Sequence, residues 1–161
     1  MNDIPAGAER HETATERDDR NFGELLQELR VTQTGVQILF AFLLTLAFTQ
    51  RFLSLDAVQR GIYVAALLLA MLAAALFTAP AALHRMLFRR GAKHELVSVS
   101  SRLAGIGLGV LALSFTGAVL LVVDVVLGRA AGIAAAVATL AVCAGLWAVL
   151  PWTLSRDRPV R

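Results

Sequence analysis

The sequence has little of the side-chain chemistry that catalysis and metal binding use. It contains one cysteine, Cys143, and three histidines. One cysteine cannot form an internal disulfide, and a thiol inside an apolar block is usually a small apolar filler. His84, His94 and Glu95 share one segment, but their spacing matches no metal-ligand motif, so we expect no metal site and no cofactor. Paired carboxylates, a nucleophile elbow and a zinc-protease motif are also missing, so we predict that the protein is not an enzyme.

Concentrated positive charge is also missing, although the pI is about 10.0. The net charge is only +3, and the basic residues lie at the ends of apolar blocks. That distribution is typical of the positive-inside rule rather than of a surface that reads DNA. We therefore expect the lipid bilayer, and no nucleic acid, as a partner.

The N-terminal part has no short apolar run before a small-residue cleavage site, so we expect no removed signal peptide. Residues 1–20 are polar with charges of both signs, which predicts a disordered cytoplasmic tail. Asn21 and Glu24 have the spacing of a capping box. The apolar residues after them have helical spacing, which predicts a juxtamembrane amphipathic helix over 21–30 on the cytoplasmic face.

Hydrophobic residues make up 57% of the chain and gather in four blocks. Each block is close to the roughly 20 residues that a helix needs to cross the hydrocarbon. The predicted fold class is therefore all-α, a four-helix transmembrane bundle over residues 21–154 with a cytoplasmic tail over 155–161. The predicted spans are residues 31–50, 62–83, 103–127 and 130–152.

The distribution of Lys and Arg predicts the orientation of the spans. Twelve of the 15 basic residues lie at the two ends of the chain and in the central loop, and three lie in the other two loops. The positive-inside rule then places both termini in the cytoplasm. Arginine outnumbers lysine fourteen to one, a composition that suggests a GC-rich bacterial gene.

The first span is the most polar of the four. Thr34, Ala41 and Thr45 fall on one stripe of the helix with Gln37 beside it, and Gln33 precedes them. In hydrocarbon such groups prefer to hydrogen-bond to other helices, at roughly 0.5–2 kcal/mol each. We therefore predict that this span forms the centre of the bundle, and a ligand site that uses Gln33 and Gln37 is the alternative.

The third span offers two further candidate features. Gly105 and Gly109 form a GxxxG pair, a spacing that lets two helices approach closely. Asp124 is the single carboxylate inside an apolar span, which makes it a candidate functional residue. It lies about one turn from the outer end of the span and Arg129 comes just beyond it, so pairing at the membrane interface is the favoured interpretation.

The two halves of the chain match each other at a shift of 71 residues. Aligning 24–85 with 95–156 without gaps gives 14 identities in 62 positions. Thr45 is then equivalent to Thr116, and Gly61 is equivalent to Gly132. We predict two repeated helical hairpins related by a pseudo-two-fold axis along the membrane normal. Shared composition with similar chemistry at the helix ends is the alternative.

Three strings carry a resemblance to a known family. They are RNFGELLQELRVTQTGVQILFAFLLTLAFTQRF (residues 20–52), HRMLFRRGAKHELV (84–97) and TGAVLLVVDVVLG (116–128). Together they resemble a family of small actinobacterial integral membrane proteins of unknown function, family 6328. The resemblance implies a four-span inner-membrane protein and supplies no reaction, ligand or catalytic residue.

The function class that these patterns favour is a structural or interaction module that acts through helix–helix contacts. Its partner would be a second copy in a homo-oligomer or another membrane protein. The candidate positions are Gln33, Gln37, Thr45, Gly105, Gly109, Thr116 and Asp124. The alternative is a subunit of an oligomeric channel or transporter with the first span lining a pore.

Overall fold

The computed structural model describes residues 14–87 and 93–156, and every regular element in these two ranges is helical. The predicted all-α fold is confirmed. The elements in chain order are α1 (Ala14–Leu46), a 3₁₀ turn (Gln50–Ser54), α2 (Ala57–Leu87), α3 (Lys93–Leu127), α4 (Arg129–Ala144), a π-helical turn (Gly145–Val149) and α5 (Leu150–Arg156).

Four helical stretches in the described residues are long and apolar enough to cross a membrane. They are Gly23–Leu46, Ala57–Leu83, Ser98–Leu127 and Arg129–Thr153. The predicted four-span bundle is confirmed, with bounds that differ from the predicted spans at most ends. The last stretch is one continuous helical segment made of α4, the π-helical turn and the start of α5.

The first helix differs from its prediction at both ends. It begins at Ala14, inside the predicted tail 1–20, and continues through the predicted boundary between 30 and 31. A separate amphipathic helix over 21–30 is therefore not supported, because no proline or turn interrupts the backbone ladder there. The helix ends at Leu46 rather than Gln50, since the next three backbone N–H groups donate to carbonyls three residues earlier.

The helix at the centre of the bundle is α3, which packs against α1, α2 and α4, whereas α4 packs mainly on α3. In an apolar stretch of 18 residues on each helix, a third of the residues of α3 are buried, against 22% for α1 and 6% for α4. The prediction that the first span forms the centre is therefore wrong. Its threonines bond to their own backbone rather than to neighbouring helices, and small residues on α2 and α3 draw those two helices together instead.

Small residues bring α2 and α3 into direct contact at two levels. A Cβ atom on Gly117 would lie 3.1 Å from the Cβ of Ala66, and one on Gly107 would lie 2.6 Å from the Phe77 ring. Close to the first of these levels, the buried Ser114 hydroxyl donates to the Ala66 carbonyl at 2.8 Å. Close approach with an interhelical hydrogen bond is the expected chemistry for helices that associate in lipid.

The α1–α2 and α3–α4 connections lie at the same end of the bundle, here called the turn end. The second connection is a single residue, Gly128, with φ of +93°. That backbone region favours glycine because it has no Cβ. The Gly128 N–H still donates to the Asp124 carbonyl at 2.9 Å, as in a helix, and the positive φ of Gly128 then turns the chain so that α4 starts at once.

Candidate functional site

The polar residues of α1 divide between the inside and the outside of the bundle. Gln33 Nε2 donates to Thr78 Oγ1 on α2 at 2.9 Å, so this amide joins two helices as the sequence predicts. The other polar groups behave differently. The exposed Thr34 and Thr45 hydroxyls donate to the Arg30 and Ala41 carbonyls of their own helix, at 3.1 and 2.9 Å.

Gln37 stands apart from these residues because its side chain is exposed on the outer face of α1. Within the described part of the chain its amide has no hydrogen-bond partner. Thr34, Gln37 and Thr45 therefore form an outward stripe with one unsatisfied amide in it. We call this set the α1 polar stripe.

The predicted glycine pair on α3 makes no close helix contact. A Cβ on Gly105 or Gly109 would meet no atom within 4 Å, and both residues line an open groove of about 300 Å³ between α3 and the far part of α4, beside Trp147. On the same side, the half-buried Thr116 donates to the Ala112 carbonyl at 2.8 Å. The close approaches fall instead at Gly107, Gly117 and Gly132.

Asp124 is brought together with Arg129 at the turn end. Asp124 is only 6% exposed, and its Oδ2 lies 2.9 Å from Arg129 Nε. This pair has the distance of an ion pair without the angle of a hydrogen bond. Arg129 Nη2 also lies 2.8 Å from Asp56 Oδ2, so one guanidinium joins the end of α3 to the α1–α2 connection.

Asp56 caps α2, a role that the sequence analysis missed. Its Oδ1 accepts from the Gln59 backbone N–H at 2.8 Å, and Gln59 Oε1 accepts from the Asp56 N–H at 3.0 Å. This reciprocal capping box has its usual signal in the sequence, an acid followed three residues later by Gln at the start of an apolar run. The Gln59 N–H, and then the charge of Arg129, lower the pKa of Asp56 below its ordinary value of 3.8.

A metal centre finds no support in the described residues, where no three His, Cys, Asp or Glu side chains gather. The side chains of His84, His94 and Glu95 lie outside the described ones. Cys143 is a free thiol that lines the groove between α3 and α4. The described side chains therefore offer hydrogen bonding and ion pairing at the turn end.

Four long apolar helices packed side by side define the class, an all-α bundle consistent with a multi-pass membrane protein. The family of unknown function DUF6328 matches residues 11–151, and the chain belongs to that family. No curated protein and no solved structure matches the chain.

Proposed function

We propose that the protein is an interaction module of the bacterial inner membrane that associates with a second copy of itself through the α1 polar stripe. The observation that carries this proposal is the exposed Gln37 amide, which has no partner among the described residues. In this proposal the protein catalyses no reaction and needs no cofactor. Its activity is to hold helices together in the bilayer.

The depth of Gln37 makes an unsatisfied amide costly. At a rise of 1.5 Å per residue, Gln37 lies about 14 Å from Leu46, the end of α1. That distance is near the middle of a hydrocarbon core about 30 Å thick. No water is available there, and an amide transferred to hydrocarbon without a hydrogen bond costs several kcal/mol. A partner helix that supplies a donor and an acceptor removes this cost.

A second copy of the chain supplies that donor and acceptor directly. A glutamine side chain carries both an N–H donor and a C=O acceptor. Two α1 helices related by a two-fold axis would therefore satisfy one Gln37 with the other. Alanine and threonine on the same face, Ala41 and Thr45, are small enough to let the helices approach.

The proposed orientation places both termini in the cytoplasm and the turn end on the outside. The support is the charge distribution, since the turn end holds only Arg51, Arg60 and Arg129 of the 15 basic residues. The two sides of the membrane can be told apart by labelling single cysteines, placed at Ser54 and at Ser155 in a Cys143→Ala background, with a membrane-impermeant thiol reagent. Labelling of position 155 in intact cells would contradict this orientation.

The test of self-association is the Gln37→Leu variant, with Gln33→Leu as its matched control. Both remove an α1 amide, but the Gln33 amide bonds inside one molecule. We measure the monomer–dimer equilibrium by single-molecule photobleaching in liposomes over a range of protein-to-lipid ratios. Loss of interhelical hydrogen bonds worth about 1–2 kcal/mol predicts that Gln37→Leu weakens dimerisation roughly 5–30-fold.

The control is expected to keep the wild-type dimerisation constant and to lower thermal stability instead. Monomeric wild-type protein at every protein-to-lipid ratio would contradict the proposal, and so would equal weakening by both substitutions. Complexes larger than a dimer that pass ions across the liposome membrane would support the alternative, a channel subunit, and overturn the dimer.

A further inference from the structure

An apolar groove runs between α1 and α3 toward the turn end. Its deeper part, of about 270 Å³, is lined by Leu39, Phe42, Phe115 and Val122 among others. The part nearer the turn end, of about 180 Å³, is also lined by Phe42 and Val122, so the two volumes adjoin. Together they form the α1–α3 groove, which runs along α1 for about two helical turns between Leu39 and Leu46.

A small polar pocket continues the α1–α3 groove at the turn end. This pocket, of about 140 Å³, is lined by Arg51, Ser54, Leu55, Gln59, Asp124 and Val125. Three of these residues, Arg51, Leu55 and Val125, also line the groove. A long apolar slot therefore leads directly into a compact polar site, which is the shape of an amphiphile.

One guanidinium at the polar pocket is available to a negatively charged group. Asp124 is paired with Arg129, which also pairs with Asp56. Arg51 pairs with no carboxylate among the described residues, and its Nη2 donates to the Val125 carbonyl at a long 3.4 Å. Arg51 is therefore the charged group of the pocket that has no ion-pair partner among the described residues.

The uncharged groups of the pocket also include a hydrogen-bond donor available to an anionic ligand. Gln59 uses its side-chain oxygen to accept the Asp56 N–H, which leaves its NH₂ group as a free donor. The Ser54 hydroxyl donates to the Arg51 carbonyl at 2.8 Å. The donors that remain for a ligand are thus the guanidinium of Arg51 and the amide of Gln59.

We propose that this site binds one anionic phospholipid, with an acyl chain in the α1–α3 groove and the phosphate against Arg51 and Gln59. Arginine is suited to phosphate because its planar guanidinium makes charge-assisted and bidentate hydrogen bonds. Apolar cavities of about 150 Å³ already take up a benzene ring, so the groove has room for a chain segment. The site does not include Gln37, and the inference stands independently of self-association.

The test compares two lipids with identical acyl chains and different headgroups, phosphatidylglycerol and phosphatidylcholine. Retention of each lipid by the full-length protein is measured by native mass spectrometry from a neutral detergent. Wild-type protein is expected to retain phosphatidylglycerol in preference. Arg51→Gln removes one charge-assisted contact and is expected to weaken phosphatidylglycerol binding about tenfold while leaving phosphatidylcholine unchanged.

The matched control is Arg60→Gln, which removes an exposed arginine at the same end that lines neither part of the site. It is expected to keep the headgroup preference. A second variant, Val122→Trp, fills both parts of the groove and is expected to lower retention of both lipids. Circular dichroism of each variant verifies that the helices remain.

Three results would overturn the proposal. One is equal retention of the two lipids by the wild-type protein, and another is the same loss in Arg60→Gln as in Arg51→Gln. The third is displacement of phosphatidylglycerol by millimolar inorganic phosphate together with no effect of Val122→Trp. That result would identify a site for free phosphate in which the groove has no part.

Discussion

The α1–α2 hairpin and the α3–α4 hairpin close in different ways at the turn end. The first uses a 3₁₀ turn, Gln50–Ser54, and then the Asp56 cap of α2. The second uses Gly128 alone. The equivalent glycines just beyond these connections also differ: a Cβ on Gly61 would meet nothing within 4 Å, whereas one on Gly132 would lie 3.0 Å from the α3 backbone.

The difference shows that similar sequence halves can occupy unequal environments. Thr45 and Thr116 each donate to the alanine carbonyl four residues earlier, at 2.9 and 2.8 Å, so local chemistry repeats. Packing does not repeat, because the contact between the hairpins is made mainly by α2 and α3. As a result 28% of an apolar 18-residue stretch of α2 is buried, against 6% of the corresponding stretch of α4. The repeat itself stays a prediction.

The largest expected effect is a difference in stability between alanine substitutions at the two equivalent glycines, Gly132 and Gly61. Gly132→Ala places a methyl group against the Asp124 and Leu120 backbone, and overpacking of this kind costs about 1–3 kcal/mol. Gly61→Ala adds its methyl group in open space and gains up to about 1 kcal/mol of helix propensity. Thermal unfolding of both variants in one detergent measures the two changes, which are expected to have opposite signs.

A loss of stability in both variants would show that the two hairpins pack alike, as a strict repeat requires. A gain in both would show that α4 can move away from α3 without cost. Gly132→Ala is also expected to separate Arg129 from Asp124, because the methyl group lies between α4 and the residue that holds this ion pair.

The architecture of this chain could be predicted from sequence because the bilayer leaves few alternatives. Long apolar blocks must be helices, since every backbone polar group needs an internal partner in hydrocarbon. The helix ends were less predictable. Nothing in the polarity of residues 14–20 indicates that α1 already begins at Ala14, and the charged segment continues into the span without a break.

The central helix and the contacts at the turn end could not be predicted in the same way. Which glycines contact a neighbour depends on how the helices rotate, so Gly105 and Gly109 could not be told from Gly107 by spacing. The pairing of Asp56 with Arg129 joins residues on different hairpins and needs the assembled fold. The Asp56–Gln59 capping box, by contrast, had a sequence signal.

An intermediate loss of stability is expected from removing either of two buried hydrogen bonds, one between the hairpins and one inside the first hairpin. Ser114 donates to the Ala66 carbonyl at 2.8 Å, and Tyr63 donates to the Leu43 carbonyl at 3.0 Å. Each is expected to contribute about 1 kcal/mol, so Ser114→Ala and Tyr63→Phe lower stability by similar amounts in thermal unfolding. The exchange of neighbouring amides should nevertheless distinguish them.

That distinction is measured by hydrogen exchange. Ser114→Ala is expected to raise exchange in α2 and α3 together, since it loosens the contact between the hairpins, whereas Tyr63→Phe raises it in α1 and α2. Raised exchange confined to α1 and α2 in both variants would contradict the role assigned to the α2–α3 contact.

The smallest effect is a pH dependence expected at only one of the two turns. The pKa of Asp56 is lowered in the folded protein, so the stabilisation from its ionised form is complete above the unfolded value of 3.8 and is lost as the pH falls through the folded value. Asp56→Asn keeps an acceptor for the Gln59 N–H but cannot titrate. Below about pH 4, the Gln59 amide of the wild type is expected to lose protection that Asp56→Asn retains.

The second hairpin provides the control. The residue equivalent to Asp56 in it is Leu127, and the N–H of Gly132 donates to the Gly128 carbonyl at 3.0 Å. The protection of the Gly132 amide against hydrogen exchange is therefore expected to be the same in the wild type and in Asp56→Asn. An equal acid-induced loss of protection at Gly132 would assign the pH dependence to global unfolding instead of the α2 cap.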